Sequence, residues 1–308
     1  MTFLYHADAE RGMEWAALFA QRAPDIAFSF RPHETHPADV RYLGVWHPPA
    51  DIVTTYPNLQ VLFSLGAGVD QIDLAALPSD LPVVRMIEPG ICDGMAEYAT
   101  LGVLALHRHL LSYVSQQRHG DWRGIRFGPA AELRVGIMGL GVLARAVINR
   151  LRPFGYVLSG WSRSAHQIEG VHCHSGESGL PAFLAHCNIV ICLLPLTGET
   201  AGILNSTLFN MLPKGSALIN CGRGEHLVQA DLLVALETGQ LSGAVLDVTD
   251  PEPLAANHPF WSHEKILLTP HIASMTQPDT AVDAVIANIR RHRSGTAMVG
   301  LVDRTRSY

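Results

Sequence analysis

No run in this 308-residue sequence approaches the ~20 consecutive apolar positions that a helix needs to cross a bilayer, so a membrane-spanning helix is excluded. The opening MTFLYHADAE has neither the basic start nor the apolar core of a secretory signal, and a cytoplasmic protein without a membrane partner is expected. Cysteine is scarce. Cys92, Cys173, Cys187, Cys192 and Cys221 are odd in number, scattered and without a CxxC pair, which argues against a disulfide framework and a zinc site. His107 with His109 on a helical stretch, and His172 with His174 in a polar loop, lack any Cys or acidic set to complete a ligand shell, so no metal is expected. Basic blocks are missing too: 22 Lys plus Arg against 28 Asp plus Glu leave a net charge of −6, which disfavours a nucleic-acid partner. The chain has no P-loop, GxSxG elbow, HExxH motif, internal repeat or low-complexity segment. Charged residues supply only 16% and hydrophobic ones 48%, a balance that suits well-buried sheets rather than disorder.

The length exceeds what one core usually supports, so two domains are expected. Apolar strand-like runs alternate with helical patterns, which is the sequence form of βαβ units and of an α/β fold with parallel sheets. In the first third VRYLGVW (40–46), LQVLFSLG (59–66) and PVVRM (82–86) read as strands. From Met95, MAEYATLGVLALHRHLLSYVSQQ predicts one long helix bridging into a second domain. There LRVGIMGLG (133–141), VLSGW (157–161), NIVICLLP (188–195), ALINC (217–221), GAVLDV (243–248) and ILLTP (266–270) match the two mononucleotide-binding halves of a Rossmann-type doubly wound parallel sheet. The amphipathic stretch 279–295 follows the last strand and is placed to return to the first domain. The expected division is a smaller flavodoxin-like α/β domain over 1–97, completed by 278–308, and a dinucleotide-binding domain over 98–277.

Gly139-Leu-Gly141-Val142-Leu143-Ala144 follows the strand RVGIM and opens a helix, the setting a dinucleotide fingerprint requires. The first glycine permits the tight turn, the second lets backbone approach a pyrophosphate, and Ala144 stands for the third where helix meets strand. Amides at the helix N-terminus then face the anion. About 20 residues on, such folds usually carry an acid for the adenosine ribose. Here the strand ends GWSRS, with Ser162 and Arg163 in that place. A guanidinium forks onto a 2′-phosphate that a carboxylate would repel, so NADPH is expected in preference to NADH. The alternative is that Arg163 is only a solvated loop residue.

Three segments bring further chemistry to the C-terminal ends of later strands, where open α/β sheets bind ligands. They are Asn220-Cys-Gly-Arg223-Gly224, Asp247-Val-Thr-Asp-Pro-Glu252-Pro253 and Thr269-Pro270-His271. Alone, each has an ordinary reading, and His271 is one of 16 histidines. Together, with VWHPP (45–49), LGAGVD (65–70), GVL (141–143), WSR (161–163) and TPHIA (269–273), they make the chain resemble the D-isomer-specific 2-hydroxyacid dehydrogenases over nearly its whole length. More narrowly it resembles the glyoxylate/hydroxypyruvate reductase A type.

The resemblance implies Arg223, Glu252 and His271 as the catalytic triad of a reductase that turns glyoxylate to glycolate and hydroxypyruvate to D-glycerate. It also implies cofactor contacts at Gly139, Gly141, Val142, Leu143, Trp161, Ser162, Arg163, Leu194, Pro195, Cys221, Gly222, Asp247 and His271, and a homodimer packed through the nucleotide-binding domain. Chemistry supports the triad independently. An arginine can hold a 2-oxo acid's carboxylate while donating to the adjacent carbonyl. A carboxylate such as Glu252 favours a charged imidazole, so His271 is expected to stay protonated near neutral pH and act as general acid.

In the first domain Gly66-Ala67-Gly68-Val69 follows a strand. Its amides could form a nest for the substrate carboxylate, or the glycines could merely serve a tight turn; the resemblance favours binding. Trp46 could be an apolar wall limiting substrate size, or a core tryptophan. A different class of function, a nucleotide-sensing scaffold like the corepressors of this fold, would not need Arg223, Glu252 and His271 together.

Overall fold

Apolar runs too short for helices and bounded by turn residues become the strands of two parallel sheets, in a computed structural model that describes residues 2–49 and 51–304. The chain divides into two compact units, Met1–Ile91 with Met275–Tyr308, and Cys92–Ser274. The division thus falls at 92 and 274 rather than at 98 and 277. The tail 305–308 of the expected first domain lies outside the described residues.

In the first unit β1 (Thr2–His6), β2 (Ala27–Ser29), β3 (Val40–Val45), β4 (Val61–Ser64) and β5 (Val83–Val84) lie in the order β2-β1-β3-β4-β5. This is the flavodoxin-like arrangement. β4 is buried at every position, as a parallel strand covered on both faces should be. Helix α1 (Ala9–Arg22) starts at Asp8, whose carboxylate accepts the Arg11 N–H at 2.8 Å. Trp15 and Phe19 of α1 are buried, and Phe19 stacks on Phe3 and Phe28 at centroid distances of 5.3 and 4.6 Å. A short helix, α2, spans Ile52–Thr55. Sequence reading did not assign β1 and β2, because the apolar run in TFLYH is only three residues long and AFS is itself only three residues.

The segment joining this unit to the next corrects the expected single helix over 95–117. Helix α3 runs Pro89–His107 and α4 runs Leu110–His119, with His109 between them at φ +56°. A left-handed residue breaks the helical ladder, and histidine tolerates that region better than most. The early start has a local cause. Proline costs nothing in a first turn, and the buried Glu88 carboxylate accepts the N–H groups of Gly90 (2.5 Å) and Ile91 (2.8 Å).

In the second unit β6 (Arg134–Met138), β7 (Val157–Ser162), β8 (Val171–Ser175), β9 (Ile189–Cys192), β10 (Ser216–Asn220), β11 (Leu241–Leu246) and β12 (Ile266–Leu268) lie in the order β12-β11-β10-β9-β6-β7-β8. The helices after α4 are α5 (Val142–Leu151), α6 (Gly176–Leu184), α7 (Ser206–Met211) and α8 (Gln229–Glu237). Alternate strand residues feed two cores, one for each face. Ile137 and Ile191 join Val147 and Leu151 of α5, while Met138 and Cys192 join Phe183 of α6 and Leu236 of α8. The order reverses between β6 and β9, the switch point where such sheets bind ligands. His172 and His174, expected in a loop, lie on the edge strand β8. Polar side chains hid that strand, since an edge needs little burial.

The last helix, α9 (Pro278–Arg293), belongs to the first unit, where Val282, Val285, Ile286 and Ile289 are buried. Asp279 and Asp283 pair with Arg22 of α1 at 2.5 and 3.1 Å. Among the described residues, no helix is long and apolar enough to cross a membrane and no group of His, Cys, Asp and Glu side chains could hold a metal ion.

Candidate active site

Beyond Met138 the chain must turn sharply from β6 into α5, and Gly139 does so at φ +91°. A Cβ there would stand 2.7 Å from the Leu193 carbonyl oxygen, so only glycine fits. Gly141 is the N-cap of α5, with open space where its Cβ would lie. Its backbone is therefore approachable, and the first-turn amides behind it offer partial positive charge. Val142 is exposed, Leu143 is half-buried and Ala144 is buried at the helix–strand contact.

At the end of β7 the Ser162 hydroxyl donates to the Ser164 carbonyl at 2.8 Å, forming the turn that presents Arg163. The Arg163 guanidinium lies 3.6 Å from the Glu199 carboxylate, with both side chains largely exposed. Trp161 takes a packing role: its ring is in the core and its indole N–H donates to the Gly176 carbonyl at 2.8 Å. Leu194 is likewise a core residue, while Pro195 is half-buried and its carbonyl accepts from Thr200 Oγ1 at 2.7 Å and His226 Nε2 at 3.2 Å.

The turn after β10 carries Arg223. Asn220, fully buried, braces it from inside: its amide donates to the Arg223 carbonyl (3.0 Å) and its Oδ1 accepts the Gly222 N–H (3.1 Å). The Arg223 guanidinium donates to the Gly222 carbonyl at 2.8 Å, and the Arg223 backbone N–H donates to His226 Nδ1 at 2.9 Å. Gly224 lies so close to the next loop that a Cβ would fall 2.0 Å from the Thr249 carbonyl carbon and oxygen. That contact presses the arginine turn against the segment bearing Glu252. Cys221 is buried in the turn, and burial together with Asp247 and Cys192 pushes its thiol well above the usual range, so it stays a neutral filler.

Asp247, buried at the end of β11, organises the histidine loop. Its carboxylate accepts from the Thr269 hydroxyl (2.7 Å) and from the N–H groups of Ile272 and Ala273 (both 2.8 Å), while its carbonyl accepts the His271 N–H (2.7 Å). Thr269 also meets Tyr98 Oη at 2.5 Å, and burial and then Asp247 push that phenol up, keeping it neutral. These bonds hold His271 at φ +55°, a left-handed conformation that costs an ordinary residue about 1–2 kcal/mol. The His271 ring meets Glu252 through Nδ1 and Oε2 at 2.9 Å, and the other carboxylate oxygen of Glu252 accepts the Thr249 N–H at 3.1 Å. The second unit therefore brings Arg223, Glu252 and His271 to the C-terminal edge of one sheet.

In the first unit Trp46 is 40% exposed, which removes the core-tryptophan reading. A Cβ on Gly66 would lie 2.4 Å from the Trp46 ring, and Gly66 does not take a left-handed angle. The glycine makes room for the indole rather than serving a strained turn. Buried Ser64 ties the loop together, donating to the Gly68 carbonyl at 2.8 Å and accepting the Gly66 N–H at 3.3 Å. Val69 is a core residue, and Ala67 is half-buried.

The family model described as D-isomer specific 2-hydroxyacid dehydrogenase, NAD binding domain, matches residues 101–273. The glyoxylate/hydroxypyruvate reductase A of Yersinia enterocolitica is 38% identical over 315 residues, covering 100% of both chains. This chain belongs to the D-isomer-specific 2-hydroxyacid dehydrogenases. Two solved structures extend the likeness to three dimensions. A dehydrogenase of this family from Xanthobacter autotrophicus, in complex with NADPH and MES, is 36% identical with a TM-score of 0.95 and covers 100% of this chain and 99% of its own. An NADPH-dependent glyoxylate/hydroxypyruvate reductase from Sinorhizobium meliloti, in complex with NADP and sulfate, is 33% identical with a TM-score of 0.92 over 100% of both chains.

Within the dehydrogenase, sequence reasoning passed over His226, Ser64 and Tyr98. Tyr98 gave no signal because its partner, Thr269, is 171 residues away and is brought to it only by folding, whereas Ser64 binds within its own turn, to Gly66 and Gly68, as a serine at a strand end can. His226 did leave a trace, standing three residues after Arg223 where a side chain can reach back to cap a turn.

Proposed function

We propose that this dehydrogenase uses NADPH to reduce small 2-oxo acids, glyoxylate and hydroxypyruvate among them, to the corresponding 2-hydroxy acids, with His271 as the proton donor. The observation that carries this reading is the Glu252–His271 pair, 2.9 Å apart on the sheet edge that also holds Arg223. The residues present suit the cofactor: Gly139 and Gly141 leave an uncovered backbone at the start of α5, and β7 ends in Ser162 and Arg163 instead of a carboxylate. Gly139, Gly141, Val142 and Leu143 would hold the pyrophosphate, Ser162 and Arg163 a 2′-phosphate, and the backbone near Leu194, Pro195, Cys221, Gly222 and Asp247 the nicotinamide end. When bound, NADPH supplies the hydride.

The protein's part is orientation, charge and a proton. Arg223 holds the substrate carboxylate and donates to the carbonyl oxygen, where negative charge grows. With Nδ1 committed to Glu252, His271 delivers its proton from Nε2 to that oxygen. In the first unit, the amides of Gly66 to Val69 are proposed to bind a carboxylate and Trp46 to limit side-chain size. The relatives named as glyoxylate/hydroxypyruvate reductases and the neighbours bound to NADPH or NADP support substrate and cofactor alike.

Steady-state assays with glyoxylate, hydroxypyruvate and larger 2-oxo acids test the reading. Cofactor oxidation with the two small acids, at higher kcat/KM for NADPH than for NADH, is expected; no turnover with any 2-oxo acid defeats it. In Arg163→Ala the NADPH preference should fall about ten- to a hundredfold, since hydrogen bonds to a charged group contribute about 1.5–3 kcal/mol. An unchanged preference in that variant places the phosphate elsewhere.

A further inference from the structure

The imidazole of His226 is fully buried, and both of its nitrogens are engaged by backbone groups from different loops. Nδ1 accepts the Arg223 N–H at 2.9 Å, so it carries no proton, and Nε2 donates to the Pro195 carbonyl at 3.2 Å. The ring is thus neutral, a state that burial favours by pushing its titration below the ordinary histidine range, with the Arg223 charge acting in the same direction. Gly222 is shaped around the ring: a Cβ there would stand 2.7 Å from His226 Nδ1. Backbone bonds continue the tie, from Gly202 N–H to the Glu225 carbonyl and from Leu204 N–H to the His226 carbonyl, both at 2.8 Å.

We infer that His226 is a positioning residue that locks the Arg223 turn to the Pro195 loop, so that the group holding the substrate carboxylate and the loop lining the cofactor share one strut. The inference rests on the role proposed above for Arg223. A buried histidine serving only to fill space would not need two directional bonds to two functional loops, and leucine would fill that space without a desolvation cost. Because the ring donates on one side and accepts on the other, its two functions can be separated chemically. The amide of asparagine can reproduce the Nδ1 acceptor and that of glutamine the Nε2 donor.

The test compares His226→Asn and His226→Gln with wild type for the KM of glyoxylate and the Kd of NADPH, the latter read by fluorescence titration. Both constants are independent of the fraction of active enzyme, so partial misfolding does not mask the result. His226→Gln, which loses the bond to Arg223, should raise the glyoxylate KM about tenfold and leave the NADPH Kd near wild type. His226→Asn, which loses the bond to Pro195, should weaken NADPH by about the same factor with little change in the glyoxylate KM. Parallel shifts of both constants in both variants, or no shift in either, overturn the inference. Arg223→Ala is measured alongside. Wild-type turnover in it defeats the role of Arg223 and this inference with it, whereas an impaired Arg223→Ala with uncrossed shifts at 226 defeats the strut alone.

Discussion

His271→Gln lowers kcat by about 10²–10⁴ and leaves the Kd of NADPH near wild type, the span expected when a positioned general acid is lost. The reason lies in the geometry. Glu252 takes Nδ1 at 2.9 Å and is itself fixed by the Thr249 N–H at 3.1 Å, so the ring has one orientation about that bond. Glutamine offers a hydrogen bond but no transferable proton, so the alkoxide that forms as hydride arrives lacks its donor. Backbone strain needs a control, because position 271 sits at φ +55°. His271→Asn serves, since asparagine tolerates the left-handed region better than glutamine does. Both variants should fail alike in kcat. Turnover near wild type in either removes His271 from proton transfer, and activity restored in the asparagine variant alone would show that only its backbone angle matters.

The second large effect falls on Arg223→Ala, which should lose about 10²–10³ in kcat and raise the KM for the 2-oxo acid about ten- to a hundredfold. The two losses have different origins. A planar guanidinium can fork onto the carboxylate, whose absence weakens binding, and can donate to the carbonyl oxygen, where charge develops only in the transition state. Arg223→Lys should recover part of KM and little of kcat, because an ammonium is a point charge without the fork. A change in KM alone, with kcat intact, would leave Arg223 as a binding residue and assign the oxyanion contact to another group.

Much of this site was legible in the sequence because strand ends are. A glycine pair after RVGIM, a strand closing on Ser162 and Arg163, and three charged or polar turns after successive apolar runs follow from periodicity and from the rule that α/β sheets work at their C-terminal edges. What did not show was the support. Asp247 stood out as a residue of the cofactor side, but nothing in its spacing announced that its side chain spends both oxygens on the loop that carries His271. Trp161 sits in a matching motif, but its indole packs inward. His226 reaches Pro195, 31 residues away, only once the chain has folded, and no spacing rule encodes that bond. The broken helix at His109 was invisible for a similar reason: a left-handed residue is a local backbone choice that helix propensity averages over. The strands β1 and β8 escaped because one has an apolar run of only three residues and the other is a polar edge.

The most direct test is a crystal structure of the full chain with NADPH and oxamate, an unreactive isostere of a small 2-oxo acid. The oxamate carboxylate should lie forked on the Arg223 guanidinium, with its carbonyl oxygen in hydrogen-bond reach of His271 Nε2 and the 2′-phosphate beside Arg163. Oxamate seated away from both Arg223 and His271 would contradict the proposed chemistry.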